Sequence, residues 1–301
     1  MNKCCYNLLL IFLLFTNITY SQHLNGDTLN LGLDLTKIAL VNQTDSYVTF
    51  PSDIGNIAPL MFEANISPSF IIRERKDARL MGVLTSQIII RMYNEDSYPV
   101  RTPSYIPQIT FYYLVGDKTL ANHTTLFGRI AHHSNGQNND FYNEDGTINL
   151  LSGNFATNYF ELGFIQTTFS EAHNAIKFFK SSIEVHPKSW MLSELHGKYS
   201  GFRWHNTFSA FKLPISDLKS DKRPNISIKV ETTWMFDAIN NWDTFNLNRL
   251  NASLTFYYHP TFLEDIGFFV QFYHGMDYYN IYFQNKLDVI RFGLMTEILR
   301  F

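Results

Sequence analysis

Cysteine is almost missing: the 301 residues contain only Cys4 and Cys5, and both precede an apolar run from Leu8 to Phe15. They lie outside any lipoprotein cleavage site, and the chain beyond them has no disulfide framework and no thiolate metal site. After that run, no apolar stretch approaches the roughly 18 residues of a membrane helix. Basic residues do not cluster and the formal net charge is -3, which excludes the basic face that binding to nucleic acid requires. No internal repeat, low-complexity tract, amphipathic helix or second domain stands out.

Aromatic side chains are abundant. Phe (27) and Tyr (17) dominate an aromatic content of 16%, more than a soluble domain of this size needs for one core. Lys3 followed by Leu8 to Phe15 and a polar stretch ending at Tyr20-Ser21-Gln22 reads as an export signal over 1–21. Residues 22–301 then form one domain, with 22–45 as a mobile or lumen-packed arm. Strand-like segments separated by polar turns fall at 59–74, 79–93, 106–116, 123–135, 153–169, 173–187, 199–212, 226–238, 247–259, 266–275 and 287–301. Several are longer than sandwich strands usually are. In Ile226-Ser227-Ile228-Lys229-Val230-Glu231 polar and apolar residues alternate, and Leu287, Val289 and Arg291 alternate with Asp288, Ile290 and Phe292. Eleven strands is an odd number where single-chain bacterial barrels are even, so Ser46-Tyr47-Val48-Thr49-Phe50 is the candidate twelfth. The fold expected is all-β, an antiparallel transmembrane β-barrel of 12 strands. The terminal Phe301 ends its closing strand, like the recognition signal of outer-membrane barrels. A secreted sandwich would leave so many long aromatic strands unexplained.

The chemistry concentrates in His132-His133-Ser134-Asn135-Gly136, at the end of a strand that begins near Thr125. Side chains two apart on a strand share a face. His132 and Ser134 therefore lie together with Leu126, Gly128 and Ile130, while Thr125, Arg129 and His133 occupy the other face. A weak alcohol beside a base is the core of nucleophilic hydrolysis. In a membrane barrel this pair faces lipid. The third group, which holds the imidazole, is offered by Asn158 on the next strand, on one face with Phe160, Leu162 and Phe164. A neutral Asn can accept the imidazole N–H without burying another charge.

These residues resemble the outer-membrane phospholipase A family, whose hallmark is a His-x-Ser-Asn-Gly strand with a catalytic Asn on the strand that follows. His132, Ser134, Asn135, Gly136 and Asn158 match it. A second block matches without a gap: Ser97, Pro99, Arg101, Tyr105, Pro107 and Gln108 fit the family's Ser-x-Pro-x-Arg…Tyr-x-Pro-Gln pattern. The resemblance is sharp over 87–164 and architectural elsewhere. It implies a calcium-dependent hydrolase of membrane glycerophospholipids in the bacterial outer membrane, active as a homodimer. It also implies an oxyanion site near the Gly136 backbone and a calcium site from oxygen donors, namely Gln137, Asn139, Asp140 and Asn154, with Ser97 of the partner subunit. Oxygen donors suit a hard cation. The chain departs from the pattern where the family's Arg after Gly136 is Gln137, where a Ser becomes Asn154, and in a longer loop that includes Glu144 and Asp145. Gln87 could match a Gln that supports the catalytic Asn, at the expense of a gap.

Blander readings stand beside these. Acidic loop residues are usually only solvated, His133 reads as an ordinary lumen residue, and Asn122-His123-Thr124 is a chance glycosylation triplet. A lipid A deacylase, another barrel with a His-x-Ser-Asn strand, lacks the Pro-x-Arg…Tyr-x-Pro-Gln block. A non-catalytic pore or adhesin would keep the strand pattern alone.

Overall fold

The computed structural model describes residues 34–116, 122–213, 226–260, 262–263 and 265–296. The export segment 1–21, Cys4 and Cys5, the start of the arm and Phe301 lie outside the described residues. No described helix is long and apolar enough to cross a membrane.

Twelve antiparallel strands close into a barrel. They are β1 (Tyr47–Thr49), β3 (Leu60–Ile66), β5 (Leu80–Tyr93), β6 (Ser104–Val115), β7 (His123–Ser134), β8 (Ala156–Ser170), β9 (Ala175–Val185), β10 (Phe202–Lys212), β11 (Ile226–Met235), β12 (Leu250–Tyr258), β13 (Ile266–Met276) and β14 (Lys286–Thr296). Two short strands sit beside the ring: β2 (Ile54–Gly55) pairs with β14, and β4 (Ser69–Ile72) with β5. The 46–50 segment is the twelfth strand: β1 pairs with β14 on one side and β3 on the other, closing the ring.

Two expectations change. The 59–74 segment is not one strand, because Ser67-Pro68 breaks it into β3 and β4, and proline cannot donate to a ladder. The arm also contains a helix, α1 (Leu35–Asn42), capped by Asp34, whose side chain accepts from the Lys37 amide. Leu35, Ile38 and Ala39 lie on its buried side at helical spacing. Eight residues are about two turns, too few to stand out as a period. The helix packs into one end of the lumen against Met81, Tyr112, Phe127, Ile165, Ile176 and Phe178.

Alternation runs around the wall. Phe111, Leu126, Leu162, Phe208, Phe256 and Phe272 are among the large apolar side chains exposed on the outside. An apolar surface this continuous suits hydrocarbon rather than water. The inside is polar. Buried Glu63 accepts from Tyr47 of β1 (2.6 Å), from Arg91 of β5 (2.6 Å) and from Arg291 of β14 (2.9 Å), and Arg91 also pairs with Asp277 (2.7 Å). Arg129 pairs with Glu161, and Lys229 with Asp45, a residue of the arm. At the end of the long loops, Phe141, Phe155, Leu195, Tyr279, Ile281 and Phe283 pack over the lumen.

Removing Glu63 leaves two arginines without their shared carboxylate at the seam. Glu63→Ala is expected to destabilise the barrel by about 3–5 kcal/mol. Urea titration in detergent, followed by the gel mobility of folded and unfolded forms, checks it; an unchanged midpoint contradicts it.

Candidate active site

The β7–β8 register sets His132 opposite Asn158 and Ser134 opposite Ala156. Leu126 and Ile130 are exposed on the outer face, and Thr125 and His133 are buried on the inner one. His132 and Ser134 thus share the outer surface, their Cα atoms about 6.6 Å apart along the strand. Nδ1 of His132 meets Oδ1 of Asn158 at 2.8 Å, and Nδ2 of Asn158 donates to the Trp190 carbonyl at 2.9 Å. With the amide held that way, Nδ1 of His132 carries the proton and Nε2 keeps the lone pair of a base.

Asn135 explains why Asn follows Ser. It is fully buried; its Oδ1 accepts from the backbone of Phe155 (3.0 Å) and Gln137 (3.2 Å), and its Nδ2 donates to the Gly153 carbonyl (2.8 Å). The side chain clips the two ends of the 136–154 loop together. Gly136 follows at φ 67°, where a Cβ would press to 3.2 Å on the Tyr105 ring. Tyr105 pairs with Ser134 across β6 and β7, so the second sequence block forms the wall beside Ser134. Its Arg101 pairs with Glu95 and lies over the Tyr93 ring.

An open, mostly apolar groove of about 750 Å³ runs past His132 and Asn158, lined by Leu84, Ile109, Ile130, Trp190, Met191 and Leu192 among others. The part played by Trp190, in a loop 32 residues downstream of Asn158, left no signal in the sequence. His133 points inward, 3.1 Å from Ser104 Oγ and edge-on to Phe155. Gln87 faces the lumen and donates to Asn65 (3.0 Å), on the opposite side of the wall from Asn158, so the suggested support of Asn158 by Gln87 is overturned. Alternation along β5 sends Gln87 inward with Thr85 and Ile89.

Ser97 lies exposed in the β5–β6 turn at φ 67°. Asn139 and Asn154 come together, since the Asn154 amide donates to the Asn139 carbonyl (3.0 Å), and the Gln137 amide is fixed by Asn135. The Asp140 side chain is exposed, while its carbonyl accepts from Asn149. Among the described residues, no three His, Cys, Asp or Glu side chains are arranged to hold a metal.

No family model and no curated protein matches the sequence. Solved structures do. Escherichia coli outer membrane phospholipase A matches at 13% identity and TM-score 0.53, over 84% of this chain and 90% of that one. The chain has the fold of outer-membrane phospholipase A. An active-site mutant of the same enzyme matches at 13% identity and TM-score 0.54, over 87% and 97% of the two chains. The Salmonella typhi outer membrane phospholipase, a dimer with bound calcium, matches at 11% and 0.55, over 85% and 91%. The fold expected from the motif blocks is therefore the fold observed.

The clip makes a local prediction. Asn135→Ala leaves buried backbone groups unpaired, at about 1–3 kcal/mol each, so limited proteolysis should cut within 136–154 much faster while the barrel stays intact. Unchanged cleavage would contradict the clip.

Proposed function

We propose that the chain is a serine acyl-ester hydrolase of membrane glycerophospholipids, a phospholipase A, exported to the bacterial outer membrane. The observation that carries this reading is the 2.8 Å bond between His132 and Asn158 on the lipid-facing side of β7 and β8, on one face with Ser134. The fold shared with outer membrane phospholipase A supports it. The pore reading loses support from a lumen covered by α1 at one end and by loop aromatics at the other.

Ser134 Oγ attacks the acyl carbonyl carbon while His132 Nε2 takes its proton, and Asn158 holds the imidazolium through Nδ1–H. The tetrahedral oxyanion is met by a backbone N–H near Gly136. His132 then passes its proton to the departing lysophospholipid oxygen, leaving the acyl group on Ser134. Water, deprotonated by His132, attacks that ester; fatty acid leaves and Ser134 recovers its proton.

The donor set fits calcium in kind: Gln137, Asn139, Asp140 and Asn154 in the loop, with Ser97 of the partner subunit in a homodimer, all offer oxygen. Calcium bound there would add positive charge beside the oxyanion.

Fatty-acid release from phospholipid in detergent micelles tests the reading, with lipid A as the control substrate. Ser134→Ala and His132→Ala should each lower release by about 10⁴-fold or more, Asn158→Ala by less, and His133→Ala little. Release from lipid A alone would favour the deacylase; a fully active Ser134→Ala would sink the hydrolase. Calcium and dimerisation should strengthen each other by one factor. Chelation is therefore expected to shift cross-linking toward monomer and remove activity together, and full activity in a monomer under chelation would contradict that linkage.

A further inference from the structure

We propose that the segment 186–201, between β9 and β10, is a working arm of the site, in which the Trp190 backbone positions Asn158. The inference rests on the hydrolase reading above and adds a positioning residue to it.

A primary amide has an ambiguity that a carboxylate lacks. It presents an acceptor at one corner and a donor at the other. If the NH2 corner of Asn158 faced His132, Nδ1 would have to accept. The proton would then sit on Nε2, where the Ser134 proton must go. An Asn in this position works only as well as its orientation is held.

Here the hold comes from a group that can only accept. The Trp190 carbonyl accepts a hydrogen bond from Nδ2 at 2.9 Å, which leaves Oδ1 for His132 at 2.8 Å. The arm is where it is because β9 leaves β8 early. The last β8–β9 pair is Phe160 with Val185, so residues 156–159 have no strand partner on that side. The arm supplies one. Met191 bridges Thr157, and the Leu192 amide donates to the Ala156 carbonyl at 3.1 Å.

Three further contacts hold the arm. The Trp190 ring lies on Phe160, centroids 4.9 Å apart. The His186 amide donates to the Gly201 carbonyl at 2.8 Å, closing the root. Leu195 is fully buried in the apolar cluster over the lumen. Trp190 is 44% exposed and walls the groove, so replacing its ring loosens the arm without opening the barrel.

The test is a comparison in two backgrounds, measuring kcat and KM for fatty-acid release from a micellar phospholipid. Trp190→Ala should lower kcat about tenfold with a smaller change in KM, and Trp190→Phe should restore most of it. In Asn158→Asp there is no amide to orient, so Trp190→Ala should then have little further effect. That non-additivity separates positioning from a general structural loss. Should Trp190→Ala fail to fold by gel mobility, Trp190→Leu in both backgrounds carries the same comparison. Equal losses in both backgrounds, or an unimpaired Trp190→Ala beside an active wild type, would overturn the arm's role alone. A wild type that releases no fatty acid with calcium present overturns the hydrolase reading itself.

Discussion

Closure of the ring is the constraint on which the rest depends. In hydrocarbon no strand edge can go unpaired, because no water is there to satisfy it. The seam is where this chain is weakest. Its closing strand is three residues, followed by a loop and the two residues of β2 on the same partner. Glu63 compensates from inside. It joins side chains from β1, β5 and β14, and the Arg91 it holds reaches Asp277 in the β13–β14 loop. Few ladder bonds are thus backed by a buried ionic cluster that spans the seam.

The interior is polar and covered at both ends, by α1 and by the loop aromatics, around a cavity of about 400 Å³. With both ends of the lumen covered, the proposed hydrolytic site meets lipid from the wall. The alternation that sends Arg129 and His133 inward sends His132 and Ser134 outward. An outward, lipid-facing position gives the proposed triad a low dielectric, where a hydrogen bond to His132 counts for more than in water. An outward site also has no cleft of its own to shield it. The groove beside His132, walled by the 186–201 arm, takes that part.

Much of this was legible in the residues. Two-residue alternation gave the faces of β7 and β8, and antiparallel pairing of neighbours placed Asn158 opposite His132. Parity of strand number pointed to 46–50 as the closing strand. What stayed hidden has physical reasons. Helix α1 spans two turns, too short for a period to show, and it is stabilised by lumen contacts with residues far along the chain. Gln87 was assigned by matching across a gap, and a one-residue shift in register flips a side chain to the other face of the wall. The hold on Asn158 comes from a backbone carbonyl, which every residue has, so no residue type could announce it. The buried role of Asn135 is visible only once the 136–154 loop returns to Phe155.

In the proposed function, Ser134 is a nucleophile activated by His132 on the lipid-facing wall. Covalent labelling measures that most directly. Folded protein in detergent would be treated with a sulfonyl fluoride carrying a long alkyl chain, and the modified residue located by mass spectrometry. One adduct is expected, on Ser134, forming in the wild type and lost in His132→Ala. No adduct on Ser134, or equal labelling of Ser134 without His132, would contradict it.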